Sequence, residues 1–360
     1  MVSAIASLPN RHLHHIHLPY LTSYLLAAKI QDHYVRLHLD DISTSASTSS
    51  FSQGSASRSS PINPVLLTFQ TPPTYTCGRR EVGALSASQI VHLRYGNRAA
   101  FHEALRGGQT TFHGPGQLTA YLICHLKAHD LTPRSYVQFL ERSVIELVGE
   151  YGLQGHTREE YQGVWVGKGG GERKIASLGV HLRRYVSSHG VGLNVGTNLG
   201  WFKRIEACGL PGEFVTSMLE QGVELQNGKA LRQSALDPED ILQCFEGGED
   251  NTTEADEVRQ KFRQEGSKVL GREGRLLNSI DLKKAVGRDS AVEDVLERSQ
   301  AAMRSIADQY ALVIGHTLPN IEGRVKRLDL PTPLQLEAER DLPKLRTFHS
   351  NNIALGNNKK

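Results

Sequence analysis

Cysteine is scarce and scattered. Cys77, Cys124, Cys208 and Cys244 stand far apart with no CxxC pair. That spacing argues against a zinc ribbon and a disulfide scaffold, and for a reducing compartment. Long apolar runs are missing too: none approaches the roughly 20 residues needed to span a bilayer. Net charge is slight, +3 over 360 residues, too little to indicate nucleic acid by itself. Acid is absent from the start of the chain, where the first carboxylate is Asp32 and only Arg11 is basic before Lys29. Lack of acid is one trait of a mitochondrial transit segment, but a single arginine makes that signal weak. There are no internal repeats.

Apolar residues make up 39% of the chain, low for a wholly globular protein, so polar inserts should dilute an ordinary domain. The pattern predicts a leader over 1–12, one domain over 13–315 and a polar tail over 316–360. Two inserts interrupt the domain: a Ser-rich one at 41–61, read as flexible, and a charged, apolar-poor one at 246–285. Strands are expected at 13–20, 65–70, 74–78, 110–112 and 118–126, and a helix over 21–37. Thr132 followed by Pro133 predicts a cap and first turn for a helix reaching about Tyr151, with Val137, Leu140, Val144, Leu147 and Val148 as its apolar stripe. GVWVG and KIASLGVHLRR read as a hairpin around the Gly-rich 168–173, VSSHGVGLNV as a further strand, and 292–313 as a helix. Strands around isolated helices give an α/β (α+β) domain with a mixed, mostly antiparallel sheet flanked by helices.

The candidate functional residues each have a plain structural alternative. GVWVGKGGG superficially resembles a phosphate loop, yet it is one residue short before its Gly-Lys, has no Ser or Thr after it, and lies in a hairpin pattern; a turn accounts for it better. His12, His14, His15 and His17 have no nearby Cys, Asp or Glu cluster to complete a metal site, so alternation on a terminal strand explains them. Cys208 precedes Gly209, Pro211 and Gly212. A turn there can present a sulfur at a cavity, with backbone N–H groups near Gly209 facing an oxyanion, or it can simply hold a structural thiol. Lys174, before the small residues Ala176, Ser177 and Gly179, is either a surface charge or a partly buried amine whose lowered pKa lets it take a proton from a thiol. His189 either supports such chemistry or is a satisfied core histidine.

Four blocks in order carry a resemblance: TYTCGRR (74–80), RGGQTTFHGPGQLTAY (106–121), KIASLGVHLRRYVSSHGVGLNV (174–195) and FKRIEACGLPGEFVTSM (202–218). Together they resemble the lipoyl(octanoyl) transferases, octanoyl-[acyl-carrier-protein]:protein N-octanoyltransferases whose eukaryotic members work in mitochondria. The resemblance implies a biotin/lipoate protein ligase-like fold, with Cys208 as acyl acceptor and Lys174 as its activating base. It implies substrate contacts from Arg106, Gly107, Gly108, Gln109, Thr110, Thr111, Phe112 and His113, from Ser177, Leu178 and Gly179, and from Gly190, Val191 and Gly192. His189 and Gly209 would support them. The implied partners are octanoyl-acyl-carrier protein and the lipoyl domains of 2-oxoacid dehydrogenase complexes and of glycine cleavage H protein, with no nucleic acid, membrane, metal, ATP or other cofactor. Because those partners are typically acidic, Arg79, Arg80, Arg183, Arg184, Lys203 and Arg204 are either docking surface or an ordinary solvated charged face. The sequence departs from the family at Phe112, Gly192 and Ala207, where Tyr, Ala and Pro are usual.

Overall fold

The computed structural model describes residues 11–48, 62–95, 98–169, 171–205, 214–234 and 290–328. The chain opens with β1 (Leu13–Leu21) and α1 (Tyr24–Thr48), then β2 (Val65–Gln70) and β3 (Thr74–Cys77). Next come α2 (Ala87–Arg94), β4 (Ala100–Glu103), β5 (Thr111–His113), β6 (Gln117–Ile123) and α3 (Pro133–Glu150). The sheet is completed by β7 (Gly155–His156), β8 (Val164–Val166), β9 (Arg173–Arg183) and β10 (Val186–Asn194), before α4 (Gly228–Ser234), α5 (Ser290–Thr317) and β11 (Val325–Arg327).

Eight strands form one sheet in the order β11-β1-β2-β6-β10-β9-β8-β7, and three form a second in the order β4-β3-β5. In the large sheet β1 pairs in parallel with both β11 and β2, and every other pairing is antiparallel. The fold class expected from the sequence is the one observed.

Period-two alternation sends each face of β6 to a different core. Leu118, Ala120 and Leu122 pack with Phe139, Leu140, Val144 and Leu147 of α3 and with Met303, Ile306 and Tyr310 of α5. Tyr121 and Ile123 turn the other way, onto Ala27, Ile30 and Tyr34 of α1. The helix α3 starts where Thr132 and Pro133 predict, with Thr132 and Ser135 completing a reciprocal cap. Its buried face is set by Tyr136, Phe139, Leu140, Val144, Leu147 and Val148, while Val137 is half-buried.

Three boundaries differ from the sequence reading. The helix α1 does not stop at 37 but continues to Thr48, into the Ser-rich segment read as flexible. There Ser43 Oγ and Thr44 Oγ1 donate to the Leu39 and Asp40 carbonyls at 2.9 and 3.0 Å, a local bond that lets a Ser/Thr run remain helical. At the C-terminal side the domain does not end at 315: β11 pairs with β1, and Leu328 N–H donates to His15 O at 2.9 Å. This covers what would be an open sheet edge. At the N-terminal side, Arg11 and His12 already belong to the fold. Glu322 N–H donates to Arg11 O at 3.0 Å, and His12 N–H donates to Asn63 Oδ1 at 3.1 Å. The insert at 246–285 lies outside the described residues. Among the described residues, no helix is long and apolar enough to cross a membrane, and no group of His, Cys, Asp and Glu could hold a metal ion.

Candidate functional site

A cavity with about 570 Å³ of empty space, including its open mouth, lies where the middle of β9 and β10 meets the 106–113 segment. Arg106, Gly108, Gln109, Thr110, Thr111 and His113 line it from one side, and Ser177, Leu178, Gly179, Gly190, Val191 and Gly192 from the other. Twelve of the fourteen residues implied as substrate contacts are thus brought together. Gly107 and Phe112 are not in the lining. Gly107 N–H bonds to Val180 O at 2.9 Å, joining the loop to β9. Phe112 points away, stacked on Trp201 with ring centroids 5.4 Å apart and planes 7° from parallel. Tyr75 closes that aromatic cluster by donating its hydroxyl to Trp201 O at 2.6 Å. The phenyl ring at position 112 therefore serves the small sheet's core rather than the cavity.

Glycine is required here for close packing of backbone on backbone. A Cβ on Gly78 would fall 1.9 Å from Gly108 O, and one on Gly190 would fall 2.3 Å from Ala120 O. Gly78 thus lets the 106–110 loop seat on the 78–81 turn, and Gly190 lets β10 seat on β6.

Arg106 is 6% exposed, yet its hydrogen bonds go only to neutral oxygens. Nη1 donates to Gly107 O and Gln109 O, both at 3.0 Å, and Nη2 donates to Thr76 Oγ1 at 2.8 Å. The guanidinium fastens the cavity loop to β3 and leaves its positive charge at the cavity wall. That charge, after burial itself, holds His113 down to about 4 and His189 down to about 3, so both are neutral imidazoles. Gln117 fixes the tautomer of His113. Its amide nitrogen donates to Phe112 O and Asn194 Oδ1, both at 3.0 Å, so its oxygen accepts from His113 Nδ1 at 2.8 Å. The other nitrogen, Nε2, is left as a buried acceptor without a hydrogen bond. His189 lies outside the lining. It has a φ of +59°, its N–H donates to Gln31 Oε1 at 2.6 Å, and its ring packs against Tyr121, so it sits in the core, although its buried ring Nδ1 has no hydrogen-bond partner among the described residues and it is not the satisfied histidine of the sequence reading.

Lys174 lines the cavity and is 7% exposed. Its Nζ lies 6.0 Å from the Trp165 ring centroid. Its backbone is bridged in parallel to Val215, with Thr216 N–H donating to Lys174 O at 2.9 Å. Asn194 Nδ2 adds a bond to Thr216 O at 3.0 Å. The surface-charge reading of Lys174 is therefore excluded by its burial. Cys208 and Gly209 lie outside the described residues; the chain is described up to Ile205 and again from Phe214, next to the Val215 bridge.

Sequence reasoning missed Tyr121 and Gln162, which also line the cavity. Tyr121 was legible as an alternating strand residue one step from Thr119, but nothing marked which face held the site. Gln162 sits in an irregular loop without a pattern. Glu141, buried on α3 with Oε1 accepting from Gly163 N–H at 3.2 Å, was missed because one carboxylate within an apolar helix stripe carries no spacing signal.

The chain matches the lipoyl protein ligase A/B catalytic domain family over residues 52–232. It is 45% identical over 163 residues to a Schizosaccharomyces pombe protein named "Probable octanoyltransferase", covering 45% of this chain and 70% of that one. A Danio rerio protein named as a mitochondrial octanoyl-[acyl-carrier-protein]:protein N-octanoyltransferase is 37% identical over 199 residues, which is 55% of this chain and 78% of that one. Among solved structures, a bi-partite lipoate protein ligase from Thermoplasma acidophilum covers 93% of this chain and 92% of its own at a TM-score of 0.43 and 14% identity, too distant for a residue-level comparison. With the family model spanning half of the chain and the curated relatives agreeing, the chain belongs to the lipoyl protein ligase A/B catalytic domain family, as an acyltransferase of the octanoyltransferase type.

Proposed function

We propose that this protein transfers an octanoyl group from octanoyl-acyl-carrier protein to one lysine on a lipoyl domain, through a thioester on Cys208. Acceptors would be the lipoyl domains of 2-oxoacid dehydrogenase complexes and glycine cleavage H protein. The observation that carries the reading is Lys174: it is a buried amine at the cavity, with its main chain paired to Val215, seven positions beyond Cys208 in the sequence.

In this scheme Lys174 takes the thiol proton, and the sulfur attacks the thioester carbonyl of the carrier-bound chain. The new C–S bond forms as the bond to the pantetheine sulfur breaks, and that sulfur leaves with the proton from Lys174. The neutral ε-amine of the acceptor lysine then attacks the acyl-enzyme. A C–N bond forms, the C–S bond to Cys208 breaks, and the amine's surplus proton returns to the Cys208–Lys174 pair. Thioester aminolysis runs downhill, so ATP and metal are not required. His113, neutral with Nε2 free to accept, suits an incoming N–H donor such as an amide of the pantetheine arm. Relatives from Danio rerio and Xenopus tropicalis carry mitochondrial names, and we extend that location to this protein.

The test offers an apo lipoyl domain one of three donors, octanoyl-acyl-carrier protein, free octanoate or a lipoylated protein, each with and without ATP, and follows the domain and any released octanoate by mass spectrometry. Octanoylation independent of ATP supports the reading. Modification only from free octanoate and ATP would make the protein a ligase, modification only from a lipoylated protein an amidotransferase, and release of octanoate a hydrolase.

A further inference from the structure

We infer that Glu141 is a positioning residue for this reaction, whose carboxylate holds the proton on the Lys174 amine. Among the described residues Glu141 is the only buried carboxylate, at 8% exposure, and the only buried Lys or Arg side chains are Lys174 and Arg106. Arg106 spends its donors on Thr76, Gly107 and Gln109. Glu141 and Lys174, in contrast, meet at one glycine. The Gly163 N–H donates to Glu141 Oε1 at 3.2 Å, while a Cβ on Gly163 would fall 3.2 Å from Lys174 Nζ and 2.4 Å from its Cε. The two charges therefore reach the same backbone unit from α3 and β9, and the charge of Lys174 acts on Glu141, opposing the rise that burial causes in its carboxyl pKa.

Among the described residues, no second buried carboxylate stands near Lys174. From β8, Lys174 faces the Trp165 ring, with Arg158 lying 4.9 Å from that ring's centroid. From the segment after the Cys208 stretch, it is paired with the backbone of Val215 and Thr216. Across the cavity stand Arg106, neutral His113 and Tyr121. Along its own strand, Arg173 is exposed and Glu172 is engaged by Arg158 at 3.4 Å and by His156 at 3.5 Å. A carboxylate favours the ammonium form of a neighbouring amine. In the dyad this favours breaking the thiol S–H bond and making the lysine N–H bond, which raises the thiolate fraction. That consequence rests on the acyl-transfer reading; the influence of Glu141 on Lys174 does not.

The test is competitive acetylation by trace acetic anhydride over a pH series, read at the Lys174 peptide by mass spectrometry in wild type, Glu141→Gln and Glu141→Asp. The glutamine keeps an oxygen for the Gly163 N–H, so it removes the charge while retaining the bond that secures the loop. We expect the Lys174 midpoint to fall by about one pH unit in Glu141→Gln and by less in Glu141→Asp. Coincident midpoints in all three proteins would overturn the inference, whatever their activity. A shifted midpoint in proteins that form no acyl adduct would uphold the inference and sink the acyl-transfer reading instead.

Discussion

Gly163 lies against Lys174 so closely that a Cβ there would fall 2.4 Å from Lys174 Cε and 2.5 Å from Ala176 O, at a φ of +130° that side chains avoid. The hydrogen atom at this position is what gives the lysine its place. Gly163→Ala should therefore cost about 1–3 kcal/mol of stability through strain and overpacking. Acyl transfer should fall further than stability does, by tenfold or more at a temperature where the variant is folded. Denaturation and initial rates, measured on the same preparation, check this.

Arg106 is the second fixed point. Its planar fork reaches Gly107, Gln109 and Thr76 at once, which an ammonium cannot do. Arg106→Lys should destabilise the fold by about 1–3 kcal/mol, since buried acceptors lose their donors. With that charge less well placed, the His113 imidazole should also become easier to protonate, which NMR titration of the ring would detect.

Stability should fall in mild acid. Burial above all holds His17, His38, His113 and His129 down to about 4, and His15 and His189 down to about 3, against 6.5 for an unperturbed ring. At His15, burial together with His17, Arg327 and Arg304 outweighs the Asp308 carboxylate 3.4 Å away. The unfolded chain thus binds protons from about pH 6.5 downward while the folded chain does not until about pH 3–4. The stabilising contribution is complete above pH 6.5 and is lost as pH falls toward 4. A thermal midpoint that stays level from pH 7 to 4.5 would contradict this.

Docking should depend on exposed arginines near the cavity. Arg79 and Arg80 are exposed, and Arg79 N–H bonds to the Arg106 carbonyl at 2.9 Å, so the surface charge adjoins the cavity loop. Arg183 and Arg184 are exposed at the β9–β10 turn, whereas Arg204 is drawn over the Tyr95 ring at 3.5 Å. Arg79→Glu with Arg80→Glu should raise KM for a carrier-bound donor severalfold, more at low salt, and leave KM for octanoyl-pantetheine unchanged. Equal effects on both donors would point to a damaged cavity instead.

Local patterns carried much of this structure into the sequence. The Thr132–Pro133 cap, the VLLTFQ strand and the β8–β9–β10 run are set by neighbouring residues, and each forms where the pattern predicts. That residues of the 106–113, 177–179 and 190–192 segments come together at one cavity was legible through motif resemblance, but the direction of Phe112 was not, because Trp201 decides it from 89 positions away. Glu141 and Tyr121 are also long-range matters: each lies in an ordinary apolar pattern, and only the packing of α3 and β6 gives it a neighbour of consequence. The β11–β1 pairing escaped for the same reason, joining the two ends of the described chain.

The central claim is that the octanoyl chain rests on Cys208 between donor and acceptor. Intact-mass spectrometry after mixing the protein with octanoyl-acyl-carrier protein tests it directly, followed by addition of an apo lipoyl domain. The account predicts one octanoyl adduct, located on Cys208 by peptide mapping, which disappears as the domain gains the same mass. Cys208→Ala should form no adduct and transfer nothing. Transfer at the wild-type rate by Cys208→Ala would contradict the account.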